Sequence, residues 1–184
     1  DQLLGRGLAG RHCAILGSGP IGRAFARRAW ALGMETAFWD REGRRGEVDF
    51  GPARAPRLPL EDLLAAADVV SLHCPLTAET RGLLDRSRLA SLRPGALLVN
   101  TARGGILDEA AAIDLLHAGR LGGVGLDVYE GEPRLDPRWL GAPRTVLLPH
   151  LGSATIEARE AMAERLCEGL AGVLAGGPGG PVLP

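Results

Sequence analysis

The sequence predicts an α/β domain in which a doubly wound parallel sheet carries helices on both faces. Apolar runs of strand length alternate with segments whose apolar residues recur at helical spacing, which is the pattern of such a sheet. A glycine-rich turn, GSGPIG at Gly17 to Gly22, joins the first predicted strand to the first helix. The 184 residues, 46% of them hydrophobic, are enough to bury a sizeable core.

The first third of the chain predicts two strands and one helix. These are a strand from His12 to Leu16, a helix from Pro20 to Leu32 that Gly33 ends, and a strand from Glu35 to Trp39. We expect the inner face of the helix to carry Ile21, Ala24, Phe25, Ala29 and Leu32. Residues 41–59 are rich in Arg, Gly and Pro and predict one short edge strand, near Ala53 to Arg57.

The rest of the chain continues the alternation. The predicted elements are a helix at Leu60 to Ala67, strands at Asp68 to His73 and Ala96 to Asn100, a helix at Asp108 to Ala118, strands at Gly123 to Val128 and Thr145 to Leu148, and a helix at Thr155 to Leu174. Asp108 is a suitable N-cap, and Gly119 follows the end of its helix.

Composition excludes several classes of function. The formal net charge of -1 offers no electrostatic attraction to nucleic acid or to an acidic membrane. The apolar runs are far shorter than the ~20 residues of a membrane span, and no basic start followed by an apolar segment opens the chain, so we expect a cytoplasmic protein. Cys13, Cys74 and Cys167 are widely spaced and predict neither a disulfide framework nor a zinc site. We expect all three to be buried, reduced thiols.

The glycine-rich turn stands in the context of a dinucleotide-binding loop, between a strand and a helix. Gly17 would allow the tight turn, Gly19 would let a pyrophosphate approach the backbone, and Gly22 would let helix and strand pack closely. Asp40, at the end of the second strand, would accept hydrogen bonds from the adenosine ribose hydroxyls. Its charge would repel a 2′-phosphate, and the pattern therefore favours NAD as the cofactor.

NADP stays open as a cofactor, because Arg41, Arg44 and Arg45 follow Asp40 and arginines can accommodate the extra phosphate. The same glycines could also form a turn without any ligand, or the glycine loop of a methyltransferase. Neither of those two interpretations accounts for the segments farther along the chain.

Three segments supply residues for acid/base chemistry and anion binding: Arg103 in NTARGG, Glu132 in GLDVYEGEP and His150 in LPHLGSAT. A guanidinium can bind a carboxylate through two parallel charge-assisted bonds. Imidazole exchanges protons near neutral pH, and a carboxylate beside it would stabilise the protonated ring. With a cofactor that carries hydride, this set suits the interconversion of 2-hydroxy and 2-oxo acids. Glu130 is the alternative acid, and any one of these residues alone could be an ordinary loop side chain.

Taken together, GSGPIG, HCPLTAETRGLLD, NTARGGILDE, GLDVYEGEP and LPHLGSAT resemble the cofactor-binding domain of the D-isomer-specific 2-hydroxyacid dehydrogenases. The resemblance runs from about Leu8 to Leu174 and is strongest to the glyoxylate and hydroxypyruvate reductase branch. It implies a Rossmann-type domain, NAD as cofactor, a homodimer, and the roles of substrate binding for Arg103, acid/base for His150 and assistance by Glu132. A glutamate before Pro133 argues against a formate dehydrogenase, which carries an amide there.

To the glycine loop and Asp40, the resemblance adds further cofactor-binding residues. These are Pro20 and Ile21 at the pyrophosphate, Cys74 and Thr80 along the cofactor path, Thr101, Ala102, Arg103 and Asp127 at the nicotinamide end, and His150, Gly152 and Ser153 against the nicotinamide. His73 is expected to shape the cofactor wall rather than to transfer protons.

The resemblance implies a substrate domain that precedes the cofactor domain, and we expect none within these 184 residues. We therefore interpret residues 1–10 as a linker, residues 11–175 as the dinucleotide-binding domain, and residues 176–184 as a Gly/Pro-rich tail. The isolated chain would bind cofactor with little turnover. The alternative function is a non-enzymatic NAD(H)-sensing or interaction module, as in the family's corepressor branch. The identity of the 2-oxo acid is not readable from this sequence.

Overall fold

The computed structural model describes residues 5–41 and 43–177, and these contain eight strands and five α-helices. The strands are β1 (His12–Leu16), β2 (Glu35–Trp39), β3 (Glu47–Asp49), β4 (Arg54–Pro56), β5 (Val69–Leu72), β6 (Ala96–Asn100), β7 (Leu121–Leu126) and β8 (Thr145–Leu147). The helices are α1 (Pro20–Ala31), α2 (Leu60–Ala66), α3 (Arg86–Ser91), α4 (Glu109–His117) and α5 (Ile156–Leu174), with short 3-10 turns at Gly104–Ile106 and Pro137–Gly141.

Six parallel strands form the main sheet, in the order β2-β1-β5-β6-β7-β8. Strand β1 pairs with β2 on one side and with β5 on the other, so that Ile15 lies between Phe38 and Ser71. The winding reverses at β1, and the crevice at the carboxyl ends of β1 and β5 is where such sheets bind ligands. The prediction of a doubly wound parallel sheet is confirmed.

The chain divides into two compact units, Asp1–Pro149 and His150–Pro184. All eight strands and helices α1 to α4 belong to the first unit, and α5 belongs to the second. The predicted linker and Gly/Pro-rich tail lie partly outside the described residues, because residues 1–4 and 178–184 are not among them.

Two apolar clusters cover the faces of the main sheet. The larger one joins the sheet to α2, α3 and α4 and includes the fully buried Leu72, Leu98 and Leu116. The smaller one surrounds Ile15 and Phe38 under α1. Helices on both faces leave the carboxyl edge of the strands as the place where loops can gather polar side chains.

The buried stripe of α1 differs from the predicted one. Its buried residues are Gly22, Ala26 and Ala29, whereas Ile21 is 70% exposed and Leu32 is 58% exposed. The prediction of an inner face with Ile21 and Leu32 is therefore wrong. Small residues face the sheet because the helix lies very close to it: a Cβ on Gly22 would come 2.0 Å from the carbonyl oxygen of Gly17.

The segment between β2 and α2 holds a hairpin rather than one edge strand. Strands β3 and β4 pair with each other in antiparallel fashion, apart from the main sheet. Val48 and Ala55 from the two strands are buried in the cluster under α1. A strand of three residues is too short for its alternation of apolar and polar side chains to be recognised in the sequence. Tertiary packing stabilises these two strands.

Several boundaries also shift. Strand β7 begins at Leu121 and ends at Leu126, two residues earlier than predicted at each end. Helix α3 has no counterpart in the sequence analysis, although its N-cap Asp85 accepts a hydrogen bond from the Arg88 amide. The predicted N-cap of α4 is confirmed, since the Asp108 side chain accepts from the Ala111 amide.

The cysteines follow the prediction in two cases of three. Cys13 and Cys74 are buried, but Cys167 is exposed. Cys167 lies on α5, which contains no buried residue, and burial of a thiol requires a packed helix face. Within the described residues, no helix is both long enough and apolar enough to cross a membrane.

Candidate functional site

The glycine turn after β1 has the geometry of a tight approach between two chain segments. Gly17 has a φ of +112°, and a Cβ there would lie 2.7 Å from the carbonyl oxygen of His73. Gly19 is the N-cap of α1 without a side-chain cap, and among the described residues nothing lies within 4 Å of a Cβ placed on it. The space beside the start of α1 is therefore open at Gly19, which fits an anionic group at a helix N-terminus.

Asp40 follows the end of β2 and is bound to the glycine turn. One carboxylate oxygen accepts from the Ser18 amide at 2.8 Å, and the other accepts from the Ser18 hydroxyl at 2.6 Å and from Arg57 Nε at 2.7 Å. Partial burial alone would raise the pKa of Asp40, but the hydrogen bonds from Ser18 and Arg57 outweigh burial and hold it below its usual value. The carboxylate is therefore ionised and fixed in place at the predicted ribose position.

His73 and Cys74 form a wall of the cavity that Asp40 also lines. The three residues line one cavity of about 160 Å³ at the ends of β1, β2 and β5. Burial lowers the pKa of His73 to about 4 and raises the pKa of Cys74 to about 11. Both side chains are thus neutral at neutral pH, which is consistent with the expectation that His73 shapes this wall and does not transfer protons.

Thr80 is fully buried and its hydroxyl is used by its own loop. The hydroxyl donates to the Pro75 carbonyl at 2.6 Å and accepts from the Thr77 amide at 2.8 Å. Thr80 would therefore affect the cofactor path only indirectly, by fixing the shape of the loop that carries Cys74 and Pro75.

Arg103 lies on the loop that follows β6, and its side chain is exposed. Asn100, the last residue of β6, shapes this loop: its side chain accepts from the Ala102 amide and donates to the Arg103 carbonyl, both at 3.0 Å. Asn100 is fully buried. No role for Asn100 was predicted from the sequence, where the one available signal is an asparagine that ends an apolar strand.

The loop after β6 packs tightly on the loop after β7. A Cβ on Gly104 would lie 1.9 Å from the carbonyl carbon of Tyr129, so only glycine allows this contact. Asp127, predicted at the nicotinamide end, is 4% exposed, and its amide donates to the Asn100 carbonyl at 3.0 Å. Arg103 and the GLDVYEGEP segment are thereby brought to neighbouring positions on one edge of the sheet.

Glu132 lies in that second loop, where one of its carboxylate oxygens accepts from the Tyr129 amide at 2.8 Å. The alternative acid, Glu130, lies 3.8 Å from Arg81 in an exposed ion pair. Its amide donates at 2.6 Å to Glu109, which also accepts from the indole of Trp139 at 2.7 Å. Burial raises the pKa of Glu109. Glu109 thus anchors the loop that carries Glu132, a role that the sequence analysis missed.

His150, Gly152 and Ser153 open the second unit of the chain. His150 is exposed and has a φ of +56°, a left-handed conformation that is rare for residues other than glycine. Such strained positions occur often at functional sites. The next element, α5, is capped by the Thr155 hydroxyl, which accepts from the Ala158 amide at 3.1 Å. The pairing of His150 with Glu132 stays a prediction.

Comparison with known proteins identifies the family of this site. Residues 1–152 match the family model described as D-isomer specific 2-hydroxyacid dehydrogenase, NAD binding domain. The chain is 41% identical over 170 residues to the glyoxylate reductase of Thermococcus litoralis, which covers 92% of this chain and 50% of the relative. It is 38% identical over 168 residues to the D-3-phosphoglycerate dehydrogenase of Bacillus subtilis, covering 90% and 31%. The chain therefore spans half or less of the length of these curated relatives.

Solved structures give the same result and show two cofactors. A glyoxylate reductase from Paecilomyes thermophila superposes with a TM-score of 0.85 at 39% identity, covering 92% of this chain and 51% of that chain. An acyclic imino acid reductase in complex with NADPH and D-Arg has a TM-score of 0.86 at 28% identity, with coverage of 96% and 55%. A D-lactate dehydrogenase from Aquifex aeolicus, complexed with NAD and lactic acid, has a TM-score of 0.84 at 26% identity, with coverage of 96% and 57%.

Proposed function

The chain belongs to the D-isomer-specific 2-hydroxyacid dehydrogenase family, and we propose that within a longer protein it transfers hydride between NAD(H) and a small 2-hydroxy or 2-oxo acid. The proposed substrates are of the glyoxylate or hydroxypyruvate type. A cytoplasmic location and a homodimeric state belong to the same proposal.

One observation supports this proposal: the carboxyl edge of one sheet carries both the glycine turn and the exposed Arg103. The glycine turn and Asp40 follow β1 and β2, and Arg103 follows β6, on the far side of the switch point. The open space beside Gly19 at the start of α1 fits the pyrophosphate of NAD, and the fixed carboxylate of Asp40 fits the adenosine ribose. The nicotinamide, when bound, supplies or accepts the hydride.

The chemistry of the remaining residues follows from their types. Arg103 would bind the substrate carboxylate through two parallel charge-assisted bonds and so orient the carbonyl. His150 would donate a proton to the carbonyl oxygen during reduction and accept the hydroxyl proton during oxidation. Glu132 would stabilise the protonated ring of His150. Cys74 and His73, both neutral, would line the cofactor wall without charge.

The isolated chain is proposed to bind NAD(H) and to turn over little substrate. In the family resemblance, substrate is enclosed between this domain and a second one, which excludes water and aligns the reacting atoms. Such alignment can lower the activation barrier by about 7 to 11 kcal/mol. Without it, Arg103 would hold a 2-oxo acid in an open, solvated site.

Replacement of Arg103 tests the proposal in the longer protein. Each charge-assisted bond contributes about 1.5 to 3 kcal/mol, so Arg103→Gln should lower kcat/KM for glyoxylate or hydroxypyruvate by at least about 100-fold. The dissociation constant for NADH should rise far less than kcat/KM falls, because the glycine turn and Asp40 at the adenosine end are untouched.

Arg28→Gln is the matched control. Both arginines are exposed and donate to a nearby main-chain carbonyl, Arg103 to that of Ala102 and Arg28 to that of Ala24 on α1. Arg28→Gln should leave kcat/KM unchanged. The proposal fails if Arg103→Gln keeps full activity. It also fails if the unaltered protein binds NADH yet reduces no 2-oxo acid, a result that would favour the sensing module.

A further inference from the structure

We propose that a cavity at the amino edge of the main sheet binds a small organic anion with an apolar body. The amino edge is the edge at which the parallel strands begin, so the cavity lies at the opposite ends of the strands from the glycine turn and Arg103. The inference goes beyond the proposed function and does not depend on it.

The amino-edge cavity has the size and the lining of a small-molecule site. It measures about 520 Å³, and its lining comes from the segments that lead into β1, β5, β6, β7 and β8. Small-molecule sites commonly occupy about 300 to 1,000 Å³ and combine an apolar lining with a few polar groups. Among the described lining residues Asp68 is the one acid, and the cations are Arg6, Arg11, Arg93 and Arg144. The lining therefore carries a surplus of positive charge.

The floor of the cavity is apolar and open. Leu97 is 41% exposed, although it lies on β6, a central strand of the main sheet. On the neighbouring strand β7, a Cβ on Gly122 would come 2.2 Å from the carbonyl oxygen of Gly95. Only glycine fits there, so no side chain from this position fills the space beside Leu97. A ligand with an apolar body would remove Leu97 from water, which favours binding.

Two of the arginines converge on one oxygen of Asp68. Nη1 of Arg11 lies 3.4 Å from this oxygen and Nη1 of Arg93 lies 3.8 Å from it, while the other carboxylate oxygen accepts from the His12 amide at 2.9 Å. The two arginine side chains are 43% and 49% exposed, and ion pairs at such exposure contribute little to stability. Both guanidinium groups can therefore bind an incoming anion at little cost to the fold.

The carboxyl ends of helices also lie at this edge, and their free carbonyls would repel an anion. Arginines occupy these carbonyls. Arg120 donates to the Ala90 carbonyl at 3.0 Å, near the end of α3, and Nη2 of Arg144 donates to the Leu116 carbonyl at 2.6 Å, near the end of α4. Within the described part of the chain, Nε and Nη1 of Arg144 make no hydrogen bond. Arg144 thus offsets a helix end and keeps N–H groups for a ligand.

The class of ligand follows from these two parts of the lining. Guanidinium groups bind the oxygens of carboxylate, sulfonate or phosphate through charge-assisted bonds. The exposed leucine of the floor requires an aromatic or aliphatic body next to that group. A small inorganic anion would leave the floor in water, and a neutral apolar molecule would leave the arginines unused.

Titration of the 184-residue chain with 8-anilinonaphthalene-1-sulfonate, followed by the fluorescence of this probe, tests the inference. The probe joins an aromatic body to one sulfonate, and its binding should saturate. The neutral 1-anilinonaphthalene should bind at least about tenfold more weakly, because the arginines gain nothing from it. Saturating NADH should leave the sulfonate probe bound, since the two sites lie at opposite edges of the sheet.

Two variants should move the affinity for the sulfonate probe in opposite directions. Arg93→Gln removes a cation and should weaken binding by about tenfold. Asp68→Asn removes the competing acid, keeps an oxygen for the His12 amide, and should strengthen binding by about threefold. The neutral analogue should show neither change, which separates an effect of charge from an exposure of new apolar surface.

Arg86→Gln is the matched control. Like Arg93, Arg86 is an exposed arginine that pairs with an aspartate, here Asp114 at 2.6 Å, but it does not line the amino-edge cavity. Its replacement should leave the affinity for the probe unchanged.

Four results would overturn the inference: no saturable binding of the sulfonate probe, equal effects of Arg93→Gln and Arg86→Gln, no gain in Asp68→Asn, or displacement of the probe by NADH. A dissociation constant that rises with the concentration of the chain would show that a second copy covers the cavity, and would also overturn it. Binding of NADH to the same chain is measured separately, so a failure of the proposed function is distinguishable from a failure of this site.

Discussion

His73 lies where the end of β5 meets the glycine turn, and burial keeps its ring neutral. Its Nε2 is 2.9 Å from the Ser71 hydroxyl, and its ring centroid is 4.8 Å from that of Phe25. Among the described residues, its Nδ1 is buried without a hydrogen-bond partner. Protonation of this ring would place an unpaired charge against α1 and the cofactor wall.

The depressed pKa of His73 makes the fold sensitive to acid. The pKa is 6.5 in the unfolded chain and about 4 in the folded one, so the unfolded state binds the proton first as pH falls. The stability that this group contributes is full above pH 6.5 and is lost progressively between 6.5 and 4. Between pH 7.5 and pH 5 the loss should be about 2 kcal/mol in the free energy of unfolding.

Urea unfolding at these two pH values checks this prediction. His73→Gln should reduce the difference between the two free energies by most of that amount, whereas His117→Gln, at an exposed position at the end of α4, should not. An unchanged difference in His73→Gln would contradict the burial of a neutral ring.

The sequence indicated the candidate ligand-binding residues better than it indicated the residues that hold them in place. Arg103 stands in a recognisable segment, and Asp40 follows from its place after a strand. The roles of Arg57 and Asn100 depend on contacts that only the folded chain creates. Arg57 binds Asp40, which lies 17 positions earlier in the sequence. Asn100 binds backbone groups of the loop after β6, and the conformation of that loop cannot be predicted from the sequence.

At the scale of elements, the start of α4 organises the loop that carries Glu132. Glu109, in the first turn of α4, accepts from the Glu130 amide and from the Trp139 indole, and Trp139 is fully buried. The helix, the loop after β7 and the 3-10 turn at Pro137–Gly141 therefore meet at one buried carboxylate. This joins the stability of the loop to the packing of α4.

Removal of Glu109 should destabilise the first unit. Glu109→Ala leaves the buried Trp139 indole and the part-buried Glu130 amide without their acceptor, which should lower the free energy of unfolding by about 2 to 4 kcal/mol. Glu61→Ala is the matched control, since Glu61 also lies in a first helical turn, on α2, but forms an exposed pair with Arg88. That change should cost less than about 1 kcal/mol.

Denaturant unfolding of the two variants gives the comparison. Equal effects of Glu109→Ala and Glu61→Ala would show that the buried carboxylate contributes no more than a surface pair.

Elements with strong local signals were predicted closely. Strands β1, β2 and β6 have the predicted bounds because apolar runs and flanking glycines or polar residues mark both of their ends. The hairpin β3-β4 and the helix α3 are short, and tertiary contacts stabilise them more than local preference does. The inner face of α1 was misjudged because hydrophobicity pointed to Ile21, whereas close packing selects Gly22.

At the scale of the whole molecule, the glycine turn, Asp40, Arg103 and Glu132 belong to one unit, and His150 opens the other. Sequence order could predict that the first four follow strands of one sheet, because parallel strands bring their carboxyl ends to one edge. The division of the chain between Pro149 and His150 could not be predicted, because it depends on which residues contact one another in the folded chain.

Binding of NADH to the 184-residue chain tests the central claim most directly. Titration followed by fluorescence or heat should show saturable binding, which Asp40→Ala weakens by about tenfold because the ribose hydroxyls lose their fixed acceptor. A folded chain that shows no saturable binding of NADH, or that binds it equally well after Asp40→Ala, would contradict the claim that this sheet edge is a dinucleotide site.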